Sequence, residues 1–188
     1  MTVVKTLPGL DTPARIATTC ALGAVIEAAM AWHFGWSDEL PAYLAFGGAA
    51  ATVTATDLVA RRIPNRVVAS AYVAGLVLLV IASAGSGLWW PFARAAIGAA
   101  LLAGSYLALG LAFPAGMGLG DVKWAGVIGL YLGYLGAAAV FTGTLVAFGS
   151  AAVLVVARFL TQRTHRRLIL PVAPFMSAGA LVAVLVAR

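Results

Sequence analysis

Two aspartates carry most of the chemistry this sequence offers. Asp57 lies in TATDLVARRIPN (residues 54–65) and Asp121 in GMGLGDVK (116–123). Two carboxylates brought close together cannot both ionise comfortably, so one keeps a proton and the pair shares it. The ionised partner can then take a proton from water while the protonated one donates to the carbonyl oxygen of a scissile amide. That chemistry requires neither a metal nor a covalent intermediate, and the expected cofactor set is empty. Cys20 is the single cysteine, so there is no CxxC pair and no disulfide within the chain. The two histidines, His33 and His165, fall on opposite sides of the topology derived below. Gly116, Gly118 and Gly120 give the Asp121 segment access to positive φ and leave space for a substrate backbone. Pro64 disfavours helix at Ile63 and so ends the helix carrying Asp57, placing the carboxylate about two turns from the boundary.

Each of these features also has a plainer reading. Asp57 and Arg61 stand at i,i+4, a helical ion-pair spacing. Lys123 is placed to neutralise Asp121. A glycine cluster before a helix serves equally as a hinge or an anion nest. On residue types and spacing alone, catalysis, structural pairing and an ion path all remain open for the two aspartates.

The elements that must position them are membrane helices. Of 188 residues, 63% are hydrophobic and 10% charged, and the mean hydropathy is +1.02. Soluble domains carry about 25% charged residues, so lipid is the expected solvent. Apolar runs near 15–36, 41–60, 67–84, 91–113, 137–158 and 169–187, with a shorter one near 121–135, predict seven spans. The first run starts after Arg15 and contains Glu27, which does not match a cleavable signal peptide. The expected fold is an all-α polytopic bundle forming one membrane domain over 1–188.

With a cytoplasmic N-terminus, Lys5, Arg15, Arg61, Arg62, Arg66, Lys123, Arg158, Arg163, Arg166 and Arg167 lie on the cytoplasmic side. Only Arg94 and Arg188 lie outside, a strong positive-inside bias. The excess of basic residues therefore reads as topology and not as nucleic-acid binding. Asp38 and Glu39 then face outward. Trp32, Trp36, Trp89 and Trp90 gather at the outer interface, where aromatic belts sit. The same topology brings Asp57 and Asp121 to one depth, just inside the cytoplasmic face, although neither residue entered the count.

At this point the motifs resemble a known family. GLGD at 118–121 followed by Lys123 is similar to the GxGD motif of membrane-embedded aspartic peptidases. DLVARRIPN at 57–65 resembles the first-aspartate motif of bacterial type IV prepilin peptidases, and LPVAPFMSAG at 170–179 resembles their C-terminal Pro-x-x-Pro-Phe segment. The resemblance runs from about residue 50 to the end and implies Asp57 and Asp121 as the catalytic pair. It gives Asn65 and Pro64 a supporting place in the first motif, and Pro171 and Pro174 one in the last. For those two prolines an ordinary kinked helix start is the preferred reading. Lys123 either binds the carbonyl or biases the aspartates, or it is a surface anchor.

Bifunctional members of the family add a cytoplasmic region with paired CxxC motifs and also N-methylate the new terminus. This chain lacks those cysteines and looks like the short, peptidase-only form of Flp/Tad-type pilus systems. The resemblance implies an endopeptidase of the bacterial cytoplasmic membrane that removes the short basic leader of a prepilin or pseudopilin-like precursor. Two rivals stand beside it. One is a related GxGD peptidase acting on archaellin-type precursors. The other is a non-enzymatic transporter whose aspartates bind protons or cations.

Overall fold

In a computed structural model, described over residues 12–113, 117–161 and 171–187, seven helices follow one another. They are α1 (Pro13–Phe34), α2 (Leu40–Ala60), α3 (Asn65–Ser86), α4 (Trp90–Ala112), α5 (Leu119–Leu135), α6 (Ala137–Thr161) and α7 (Ala173–Val186). Five of them, α1 to α4 and α6, are long and apolar enough to cross a membrane. Each of the seven expected apolar runs overlaps one of these helices, but α5 and α7, at 17 and 14 residues, are shorter than the five that meet the length of a span. Lys5, Asp11, Gly116, the Arg163–Arg167 segment with His165, and Arg188 lie outside the described residues.

Local chemistry sets the ends. Proline occupies the first turn of α1, α2, α4 and α7, where its missing N–H costs nothing. Gly35, Gly87 and Gly136 close α1, α3 and α5 at positive φ. The end of α2 is different. Arg61 takes the left-handed conformation (φ 50°, ψ 41°) and its N–H bonds the Asp57 carbonyl at 2.9 Å. The helix therefore stops at Ala60, four residues ahead of Pro64. Asp57 lies in the last turn of α2 and not two turns from its end, because the αL residue terminates the helix before proline can.

The centre of the bundle is α5. At 17 residues it is short for a span, yet it is buried continuously from Trp124 to Tyr134. It packs on α3, α4, α6 and α7, so protein and not lipid surrounds it. Small residues make this possible. A Cβ at Gly129 would run into the Gly98 carbonyl, and one at Gly133 would lie 2.6 Å from the Arg94 carbonyl. Helices α4 and α5 thus approach backbone to backbone, as small-residue membrane interfaces do.

Polar groups inside this core find partners across helices. The Tyr43 hydroxyl donates to the Tyr131 carbonyl at 2.9 Å, and the Tyr131 hydroxyl to the Ala71 carbonyl at 3.0 Å. The Trp124 indole N–H donates to Ser177 Oγ at 3.1 Å. Leaving one such donor unpaired would cost about 1–3 kcal/mol. Phe46 stacks over Trp124 with centroids 6.0 Å apart and packs on Tyr131 at 4.7 Å. These contacts lock α2, α3, α5 and α7 together, and those four helices carry the site.

Candidate active site

The up-and-down order brings the C-terminal end of α2 and the N-terminal ends of α3, α5 and α7 to one end of the bundle. Asp121 sits in the first turn of α5. Its backbone N–H bonds the Gly118 carbonyl at 3.0 Å, and its Oδ2 accepts the Gly118 N–H, also at 3.0 Å. This reciprocal clasp is a capping arrangement, with a carboxylate at the positive end of a helix.

Asp57 is held by a different helix. Its Oδ2 accepts the Ala173 N–H at 3.2 Å, an amide at the start of α7 and 116 residues away in sequence. Asp57 is 6% exposed and Ala173 is fully buried. Pro174 occupies the first turn of α7, as an ordinary helix-starting proline does, while Pro171 stands just before the helix. The consequence is that a free N–H at the start of that helix is aimed at Asp57. Both aspartates therefore engage one carboxylate oxygen with a backbone N–H at a helix start. The charge of Asp121 acts on Asp57 across the site and reaches the Tyr106 hydroxyl on α4.

Two contacts join the motifs that carry the carboxylates. Lys123 Nζ donates to Asn65 Oδ1 at 3.0 Å, linking the starts of α5 and α3. A Cβ on Gly120 would stand 3.2 Å from Ile63 Cβ, so the α2–α3 turn packs directly against α5 at this glycine. Asn65 begins α3 immediately after Pro64, whose φ of −67° and ψ of 121° set the extended turn. The turn after Asp57 and the first turn of the Asp121 helix are thus in direct contact.

Several expectations change here. Neither ion pair suggested by spacing forms among the described residues: Lys123 bonds Asn65, and Arg61 gives its backbone N–H to the Asp57 carbonyl while its charge acts on the carboxyl only from a distance. The positive-φ reading of the glycines is corrected as well. Gly118 is extended (φ −88°, ψ 155°) and Gly120 is helical; among the described residues positive φ falls at Gly35, Arg61, Gly87 and Gly136. Gly116 lies outside the described residues. Gly120 is small because Ile63 needs its space, whereas a Cβ at Gly118 would meet only ordinary contact with the Asp121 carboxylate at 3.5 Å.

Sequence reasoning missed Ile63 as a packing residue and the Ala173 N–H as a partner for Asp57. Ile63 was within reach, since it stands beside Pro64 in the quoted motif. The Ala173 amide had no sequence signal beyond the flanking prolines.

A model of the type IV leader peptidase family matches residues 44–160, which include both aspartates and end before α7. No curated protein and no solved structure matches the chain.

Proposed function

The chain belongs to the type IV leader peptidase family, and from that premise we propose that it is an aspartic endopeptidase in which Asp57 and Asp121 act as one catalytic pair. The observation that carries the reading is the junction of the two motifs: Asn65 to Lys123, and Ile63 against Gly120, at the end of the bundle where both carboxylates lie. In each aspartate Oδ2 accepts a backbone N–H, and this reading assigns Oδ1 to water and substrate.

In the reaction, a water held between the carboxylates loses a proton to the ionised aspartate as its oxygen attacks the amide carbon. The protonated aspartate donates to the carbonyl oxygen. Collapse of the tetrahedral species breaks the C–N bond, and the proton taken from water passes to the leaving nitrogen. Gly118 is exposed beside Asp121 and leaves a path for an extended substrate backbone. Lys123 and Asn65 fix the spacing of the pair, and Pro64 sets the turn that presents Asn65.

The substrate is a prepilin or pseudopilin-like precursor, cut between its basic leader and its apolar helix. The site faces the cytoplasm. Arg15, Arg61, Arg62, Arg66, Lys123 and Arg158 lie at the same end of the helices as the aspartates, and that charge bias supports this orientation. We read the whole chain as one peptidase domain without a methyltransferase activity. The test is cleavage of a purified prepilin-like precursor by the purified protein in detergent, with chelator present and no ion gradient. Mature product with an unmethylated N-terminus is expected. A requirement for a gradient or for added zinc, or a methylated product from the protein alone, would overturn the reading.

A further inference from the structure

The end of the bundle opposite the aspartates holds a feature that peptide hydrolysis does not use. Helices α4 and α6 touch each other only sparsely, because each packs on α5 or α7 instead. They leave a groove of about 460 Å³ whose walls include Ile97, Leu101, Val140, Phe141 and Thr144. Further toward the aspartate end, Tyr106 of α4 and Phe148 of α6 pack against each other with ring centroids 5.8 Å apart. At the groove's other end stands Arg94.

Arg94 has an unusual setting. One Nη donates to the Tyr134 carbonyl at 3.1 Å, near the C-terminus of α5, while Nε is buried without a partner. It closes no ion pair among the described residues. It is also the only described Lys or Arg at this end of the helices. One turn further out, Trp89 and Trp90 are exposed at the level of an aromatic belt. A cation at bilayer depth without a counter-charge is costly, and an apolar groove leading away from it has no polar group to offer in compensation except Thr144.

These features fit an amphiphile with an anionic head and an apolar tail. We propose that the α4–α6 groove is a binding site for an anionic phospholipid, with the phosphodiester on the Arg94 guanidinium and an acyl chain lying between Ile97, Leu101 and Phe141. Its position, in the half of the bilayer away from the aspartates, gives it a role in holding α4 and α6 against α5.

The full-length protein, purified and exchanged into nanodiscs or micelles, would be examined by native mass spectrometry with phosphatidylglycerol or phosphatidylcholine of identical chains. One basic contact predicts a preference of about fivefold for phosphatidylglycerol. Arg94→Gln should erase that preference and Arg94→Lys should keep it. Thr144→Trp, which fills the groove and leaves Arg94 in place, should reduce retention of phosphatidylglycerol to the level of phosphatidylcholine. Equal retention of the two lipids by the unmodified protein, or a preference that survives Arg94→Gln or Thr144→Trp, would overturn the proposal. Should Arg94→Gln fail to fold, the Thr144→Trp result decides alone.

Discussion

The bond from Lys123 to Asn65 is the most informative single contact at the residue scale. A lysine two positions after Asp121 invites the idea that it neutralises that aspartate, but here its ammonium turns to a side-chain amide on another helix. Its proposed work is to hold geometry. An exposed hydrogen bond of this kind is worth about 0.5–1.5 kcal/mol net, so its loss should lower kcat by about 2- to 10-fold without abolishing cleavage. Lys123→Ala and Asn65→Leu should each show this, and Asn65→Asp, which keeps an acceptor, should retain near-normal rates. Because the two residues share one bond, the double variant should be little worse than either single one. Steady-state kinetics on the four proteins checks this; fully additive losses would separate the two residues. The aspartates, their flanking glycines and the lysine were all legible in the sequence, because ionisable groups stand out against an apolar chain. The identity of the lysine's partner was not, since spacing along α5 says nothing about which residue of α3 faces it.

At the scale of the elements, the site depends on where helices stop and how closely they approach. The spans could be read directly from hydropathy and the charge bias, and so could the shared depth of the two aspartates. The finer placement could not. Arg61 ends α2 early by adopting a left-handed conformation that arginine rarely prefers, which leaves Asp57 in the last helical turn. The start of α7 meets Asp57 across 116 residues of sequence, a tertiary pairing with no local periodicity to announce it. The contact between Gly120 and Ile63 likewise replaces a conformational reason for glycine with a packing one. This distinction is testable. Gly120→Val must displace Ile63 and should lower stability by about 1–3 kcal/mol while stopping cleavage. Gly118→Ala, at an extended position with room for a methyl group, should leave thermal stability unchanged. Melting curves of the two purified variants in detergent check both; equal melting temperatures would remove Gly120 from the packing argument.

At the scale of the whole molecule, a multi-pass membrane protein of the type IV leader peptidase family gathers the four helix ends of the proposed site at one end of its bundle. A short, protein-enclosed α5 forms its axis, and the longer helices α1, α3, α4 and α6 carry exposed apolar side chains on their outer faces. The proposed orientation puts that site in the cytoplasm, where a basic leader would meet it. Cysteines introduced at Arg62 and at Trp89, in a Cys20→Ser background, should label from opposite sides, Arg62 only from the cytoplasm. Labelling of Arg62 from outside would reverse the orientation and separate the site from its proposed substrate. The central claim is that the two aspartates work as a unit, and amide substitution tests it most directly. Asparagine keeps the size of aspartate and can still accept the N–H of Gly118 or Ala173 through its carbonyl, but it can neither ionise nor act as a base. Conversion of a prepilin-like precursor by purified Asp57→Asn, Asp121→Asn and the double variant is the measurement, alongside melting curves that verify folding. Each single variant should lose at least about 10²-fold in rate, and the double variant should be scarcely worse. Robust cleavage by either folded single variant would contradict the two-aspartate mechanism and return the carboxylates to a structural or ion-conducting role.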